Sequence, residues 1–260
     1  LEDPLIFCYK KSEPYQNLKL YITRPKIPSI HCPAIIFFHG AGFTNNKVTP
    51  RQFQQHALHF ASLGMVTILA EYRPLEVEGR FSPMDSIMNA KSAIRWTREN
   101  ARDLGVHPNK VVAAGASAGG YLCLCAAMID QCNDPGDNER ISAQPDALII
   151  FNGGVDAKML IDLFPALEEP LLAASPVTKV KANLPPSLFF HGTDDVNIPI
   201  QEVIDFTSNM VDHGNLSILV PFEGLGHGFF NYGNMDNQPY LQTIREMEKF
   251  LKGMDFLDEE

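Results

Sequence analysis

Along the chain, short uncharged apolar runs alternate with longer segments in which apolar residues return every three or four positions. Ala34-Ile35-Ile36-Phe37-Phe38, Val66-Thr67-Ile68-Leu69-Ala70, Val111-Val112-Ala113-Ala114, Ala147-Leu148-Ile149-Ile150-Phe151 and Ser187-Leu188-Phe189-Phe190 have strand length and no charge, the pattern of strands covered on both faces. Leu18-Lys19-Leu20-Tyr21-Ile22-Thr23 alternates instead and predicts a strand closed by Arg24-Pro25, and a last strand is predicted over Leu216 to Val220. Helical periods fill the intervals. Phe53, Ala57, Phe60 and Ala61 mark a helix from Pro50 to Leu63 that Gly64 stops, and Ile87, Ala90, Ile94, Thr97 and Ala101 mark a long one from Pro83 to Leu104 that Gly105 stops. Further helices are predicted after Ser117 (Tyr121 to Ile129), from Pro199 to His213 and from Tyr240 to Leu251. Val106 to Lys110 reads as a turn into a strand, Asp130 to Asp146 as a solvated connection, and Asn152 to Pro186 as an irregular excursion with a small helix around Met159 to Phe164 that covers part of a site. Strand and helix in alternation predict an α/β chain with a mostly parallel central sheet and helices on both faces.

Composition narrows this little, but it excludes some functions. The 260 residues, 45% hydrophobic and 20% charged, suit a single α/β domain over residues 1–260 without repeats. A net charge of −10 argues against nucleic acid or an anionic membrane as partner. Val111 to Ile129 is uncharged over nearly a membrane span, yet its glycines and central serine favour a strand–turn–helix. Leu1-Glu2-Asp3-Pro4 shows no signal peptide, which leaves a cytoplasmic or an exported protein open, and a homo-oligomer is compatible with the sequence. Five irregularly spaced cysteines suggest reduced thiols, Cys123 and Cys125 in the core, with a Cys8–Cys32 bridge as the alternative for an exported chain. His56 and His59 are one helical turn apart but lack a further ligand at metal spacing, and the acidic residues of 130–146 do not match a calcium loop. The histidines are read as surface or packing residues and the acidic residues as loop, and neither a metal nor a cofactor is expected.

The candidate chemistry sits at strand ends. Gly115-Ala116-Ser117-Ala118-Gly119-Gly120 places a serine where an apolar strand becomes an apolar helix. The tight turn of such a nucleophile elbow leaves no room for side chains two residues before and two after the serine, positions that Gly115 and Gly119 occupy. His39-Gly40-Ala41-Gly42-Phe43 follows a central strand, where glycines let backbone N–H groups turn towards a small anion. A late strand ends in His191-Gly192-Thr193-Asp194-Asp195, whose carboxylates can either orient a base or cap the next helix. His227 lies in the glycine-flanked loop Gly224-Leu225-Gly226-His227-Gly228-Phe229 after the last strand. Nucleophile, acid and base thus occur in the chain order that an α/β-hydrolase sheet imposes.

On these motifs, together with Glu71-Tyr72-Arg73, the chain from about Leu18 to Leu251 resembles the α/β-hydrolase family of carboxylesterases and acetyl esterases, in the branch carrying HGGG and GxSAGG. The resemblance implies a Ser117–His227–Asp195 triad. It aligns Asp195, not Asp194, with the acid of the family's G-T-x-D-x-x-(V/I)-P pattern, and it implies an oxyanion hole from the N–H groups of Ala41, Gly42 and Ala118. Two residues depart from the pattern: Ala41 replaces the third residue of HGGG and adds a methyl, and Ala116 replaces the acidic residue that many members place before the serine. The short stretch before the first glycine motif implies no large cap domain and an open, shallow site. The expected activity is a short-acyl esterase, with acetyl groups on a carbohydrate as the candidate substrate. The alternatives are a prolyl-oligopeptidase-type peptidase, suggested by Gly119-Gly120-Tyr121, and a non-catalytic ligand-binding protein on a hydrolase scaffold.

Overall fold

A computed structural model describes residues 3–11, 17–26, 30–40, 42, 48–73 and 83–258. The apolar runs become β1 (Leu5–Lys10), β2 (Leu18–Thr23), β3 (Cys32–Phe38), β4 (Val66–Ala70), β5 (Val106–Ala116), β6 (Ala147–Phe151), β7 (Ser187–Gly192) and β8 (Ser217–Phe222). They form an eight-stranded sheet in the order β1-β2-β4-β3-β5-β6-β7-β8. Pairing is antiparallel from β1 through β2 to β4 and parallel everywhere else. The helices are α1 (Gln54–Ser62), α2 (Pro83–Glu99), α3 (Ala101–Leu104), α4 (Ala118–Met128), α5 (Lys158–Leu163), α6 (Glu168–Ala173), α7 (Ile200–Asp212) and α8 (Gln238–Gly253). This is the α/β-hydrolase arrangement.

Side chains alternate across each strand, so one strand feeds two cores. In β3, Ile36 and Phe38 join the layer under α2, α4 and α7 with Ile94, Leu122 and Phe206, whereas Ile35 and Phe37 join the layer under α1 and α8 with Phe60 and Met247. Every one of these side chains is buried. Each contributes about 1.5–3 kcal/mol relative to exposure, which fixes the register of the strands and hence of the loops at their ends.

Several elements depart from the sequence pattern. Strand β1 has no alternation to reveal it, because as an edge strand it is only partly covered on either face. The predicted 83–104 helix breaks at Asn100 (φ −98°, ψ 14°) into α2 and α3. Strand β5 starts at Val106, with a bulge: Cys32 pairs with Val106 and Ala34 with Val111, so the exposed residues between them loop out as the expected turn. The connection 130–146 is more than a solvated loop. Arg95 and Asp137, both nearly buried, pair at 3.1 Å, Lys10 reaches Asp134, and the buried Lys91 ammonium donates to the carbonyls of Ile129, Asp130 and Gln131. All five cysteines are free. A Cys8–Cys32 bridge is ruled out by topology, since β1 and β3 are three strand spacings apart, about 14 Å against a disulfide reach of about 7 Å. His56 packs fully buried among Phe53, Phe151 and Tyr240, while His59 meets Glu248 at 2.7 Å. Among the described residues no helix is long and apolar enough to cross a membrane, and no group of His, Cys, Asp or Glu has metal-ligand geometry.

Candidate active site

Ser117 stands between β5 and α4 with φ 51° and ψ −117°. A non-glycine residue in that region costs on the order of 1–3 kcal/mol, and it persists because its surroundings leave no alternative. The Ser117 N–H donates to Phe151 O (2.9 Å), and Ser117 O accepts from Tyr121 N (3.0 Å). A Cβ on Gly115 would lie 2.4 Å from Gly119 O, and one on Gly119 only 2.1 Å from Phe38 O. Both glycines are therefore steric requirements of the turn. Gly120 is a third, since its Cβ would meet Gly153 Cα at 2.8 Å as α4 packs on the end of β6.

His227 Nε2 is 3.0 Å from Ser117 Oγ, and His227 Nδ1 is 2.7 Å from Asp195 Oδ2. The other Asp195 oxygen accepts the N–H groups of Asn197 (2.9 Å) and Ile198 (3.1 Å). These residues follow β7 and β8, whose loops interlock: Thr193 N donates to Phe222 O, Asp194 N to Leu225 O and Gly224 N to Thr193 Oγ1. The approach requires Gly192, where a Cβ would lie 2.1 Å from Leu225 O. Asp194 points outward, exposed, with Thr193 Oγ1 as its partner. Burial pushes the Asp195 carboxyl pKa up, but the hydrogen bonds from His227, Ile198 and Asn197 outweigh it and hold the group below the usual carboxylate range. Asp195 is thus an acceptor for His227 Nδ1–H, the tautomer whose Nε2 lone pair faces Ser117 Oγ.

His191 contributes a contact that sequence reasoning did not assign. Its Nε2 lies 2.8 Å from Ile198 O, which can only accept, so Nε2 carries the proton, and the same nitrogen stands 3.4 Å from Asp195 Oδ2. Burial pushes the pKa of His191 down, against the pull of Ile198 O and Asp195, and keeps the ring neutral. The residue was visible only as part of the strand-end motif.

On the other side of Ser117, β3 is followed directly by His39 and Gly40. His39 Nδ1 donates to Gly40 O (3.0 Å) and its ring stacks on Tyr72 at 4.6 Å, while Tyr72 Oη donates to His39 O (2.7 Å). Burial lowers the pKa of His39, so it braces the loop as a neutral ring. The Gly40 N–H is committed to Gln52 Oε1 at 2.8 Å. Ala41 lies outside the described residues. Gly42 (φ 57°) and Ala118 flank Ser117 in a pocket of ≈ 20 Å³, walled by Tyr121, Leu160 and Ile198, enough for about one water molecule. The α5 residues Met159 and Leu160 line it, so the 152–186 excursion does cover part of the site. A larger depression of ≈ 870 Å³ lies at the opposite ends of the strands, around Cys32, Val66 and Gly105, and contains none of these groups. Asp156 also faces the small pocket, its Oδ1 held by Ser175 Oγ at 2.9 Å.

Comparison with known proteins points the same way. The BD-FAE family model matches residues 20–168, and the prolyl oligopeptidase family model matches residues 165–254. Among solved structures, esterase 2 of the planctomycete Thermogutta terrifontis with propionate bound shares 38% identity at a TM-score of 0.90, covering 99% of this chain and 97% of that one. The same enzyme phosphorylated by paraoxon superposes with a TM-score of 0.88 at 38% identity, covering 99% and 96%. Among curated proteins, the probable carboxylic ester hydrolase LipM of Mycobacterium tuberculosis is 30% identical over 193 residues, 66% of this chain and 43% of its own length. Esterase LipC of the same organism is 27% identical over 245 residues, 84% and 58%. The chain spans about half the length of these curated relatives.

Proposed function

Because the chain belongs to the α/β-hydrolase family of carboxylesterases, within the group that the BD-FAE model describes, we propose that it is a serine hydrolase of short-acyl carboxylic esters. The observation that carries this reading is the unbroken line Asp195–His227–Ser117, with hydrogen bonds of 2.7 and 3.0 Å, ending on a serine in a strained elbow. Ser117 Oγ attacks the ester carbonyl as His227 Nε2 takes its proton, and Asp195 stabilises the resulting imidazolium. The N–H groups of Ala118, Gly42 and Ala41 receive the oxyanion. Collapse expels the alcohol with the proton from His227 and leaves an acyl-Ser117 ester. Water, deprotonated by the same histidine, then releases the acid and restores the serine.

A narrow pocket beside Ser117 supports a short acyl group, and the relative's structures with propionate and with butyrate bound support a small acid as product. Acetyl is our choice of acyl group and a carbohydrate our choice of alcohol, the latter because a nucleophile that is partly accessible to solvent suits a bulky polar leaving group. The match of residues 165–254 to the prolyl oligopeptidase family favours a second reading, a peptidase. That segment holds the proposed acid and base but not the nucleophile, a half that esterases and peptidases share. Paraoxon provides the first test: stoichiometric phosphorylation mapped to Ser117, abolished in Ser117→Ala, is expected. Acetylated sugars and p-nitrophenyl acetate should be turned over faster than p-nitrophenyl esters of long acids or any prolyl anilide. A protein that paraoxon leaves unmodified is no serine hydrolase, and faster cleavage of the anilide selects the peptidase.

A further inference from the structure

Outside the serine, histidine and aspartate, a chain of amides joins the two sides of the site. Gly40 N–H donates to Gln52 Oε1 (2.8 Å), Gln52 Nε2–H to Asn231 Oδ1 (3.0 Å) and Asn231 Nδ2–H to Gly228 O (3.0 Å). Its ends are a backbone N–H on the glycine loop after β3 and the carbonyl of the residue following His227. Because one end can only donate and the other only accept, both amide groups have one allowed orientation: turning either sets two donors or two acceptors face to face. Gly40 itself packs against the elbow, where a Cβ would lie 3.4 Å from Ser117 Cβ. Asn234 Nδ2 adds a second side-chain donor to Gly228 O at 2.9 Å, pinning that end.

We infer that Gln52 and Asn231 are positioning residues that lock the oxyanion-binding loop to the His227 loop, so that the anion site and the general base hold one spacing. Neither touches the reacting atoms. Gln52 lies within the short helical turn Pro50–Phe53 that leads into α1, and Asn231 stands 179 residues later in the chain, so the bridge also ties α1 to the base loop. The inference rests on the proposed esterase reading for its kinetic consequence but not for the bridge. A mismatch of about 1 Å between oxyanion donors and base costs transition-state stabilisation and leaves ground-state binding nearly unchanged.

The experiment uses the shape-conserving variants Gln52→Met and Asn231→Leu and their double variant. Each single variant should lower kcat for p-nitrophenyl acetate about 10- to 100-fold with KM within about threefold. The double variant should be no slower than the worse single one, as for two links of one chain. Amide hydrogen exchange gives a readout independent of activity. Gly40 should exchange faster in Asn231→Leu as well as in Gln52→Met, although Asn231 does not touch it. Gln52→Glu should fail like Gln52→Met, because a carboxylate accepts from Gly40 but cannot donate to Asn231. Additive losses in kcat, kcat within twofold of wild type, or unchanged Gly40 exchange in Asn231→Leu would overturn the inference. A wild-type protein inactive on every ester refutes the esterase reading instead, and the exchange comparison still decides the bridge.

Discussion

Replacing Asp195 by asparagine changes one atom and tests the proposed chemistry most directly. Asp195 Oδ1 accepts two backbone N–H groups, from Asn197 and Ile198, and the new side chain must keep its carbonyl oxygen there. Its NH₂ then occupies the place of Oδ2, 2.7 Å from His227 Nδ1. Facing a donor, His227 must turn its Nδ1 into an acceptor and carry its proton on Nε2, against Ser117 Oγ. A base with its lone pair on the wrong side cannot accept the serine proton. The loss expected from a wrong tautomer is about 10⁴-fold in kcat, or ~5.4 kcal/mol at about 1.36 kcal/mol per decade. The assay is kcat for p-nitrophenyl acetate beside the rate of paraoxon labelling, with Asp194→Asn as control. The Asp194 carboxylate is exposed and its side-chain partner is the neighbouring Thr193 hydroxyl, so its amide variant should stay within about twofold. Retention of more than about a tenth of wild-type kcat in Asp195→Asn, or an equal loss in Asp194→Asn, refutes this orientation argument. Stability supplies a cross-check of sign. The folded pKa of Asp195 lies below the ordinary value, so its carboxylate contributes stability that is fully present above about pH 4. That contribution fades as pH falls through the folded value, and the gap in melting temperature between wild type and Asp195→Asn should narrow there.

Other expectations follow from packing. Burial, with a smaller push from His59, lowers the pKa of His56 to about 3, so between about pH 6.5 and that value only the unfolded chain binds this proton. Wild type should therefore lose ~1.4 kcal/mol per pH unit from this group on acidification, a slope missing from His56→Phe in denaturant melts across that range. Gly192→Ala should drive a methyl into Leu225 O and part the acid and base loops, costing about 1–3 kcal/mol in urea melts and most of the activity. Unchanged activity there would mean that the loops can separate freely. Tyr72→Phe should strand the His39 carbonyl in a buried place, with a stability loss of about 1–3 kcal/mol and a fall in kcat rather than a rise in KM.

The strands were legible where both of their faces are covered. Val66–Ala70 and Ala147–Phe151 are uncharged and almost wholly buried, and their boundaries coincide with the runs that predict them. The elbow was legible because a steric rule writes glycines on either side of Ser117. Edge strand β1 left no such trace, since both of its faces are only partly covered and no period of two develops. The choice between Asp194 and Asp195 came from the family pattern and not from spacing, because both can cap a turn; in the structure Asp195 faces His227 and also closes the turn of Asn197 and Ile198. Gln52 and Asn231 were invisible. Polar residues far apart in sequence, without a motif, reveal a partnership only when the fold brings them to 3.0 Å.

The interlocked ends of β7 and β8 carry a last consequence. Thr193, Asp194, Phe222, Gly224 and Leu225 exchange backbone and hydroxyl hydrogen bonds across the two loops, so the acid and base proposed here ride on one continuous piece of main chain. The nucleophile rides on another, with β6 between them in the sheet. A chimera that swaps in the segment from β7 through the His227 loop would therefore import a ready-made proton-handling cassette, whose inner geometry travels with it. Only the seam with Ser117 would have to be refitted, and directed evolution of such a chimera should gather its repairs at that seam.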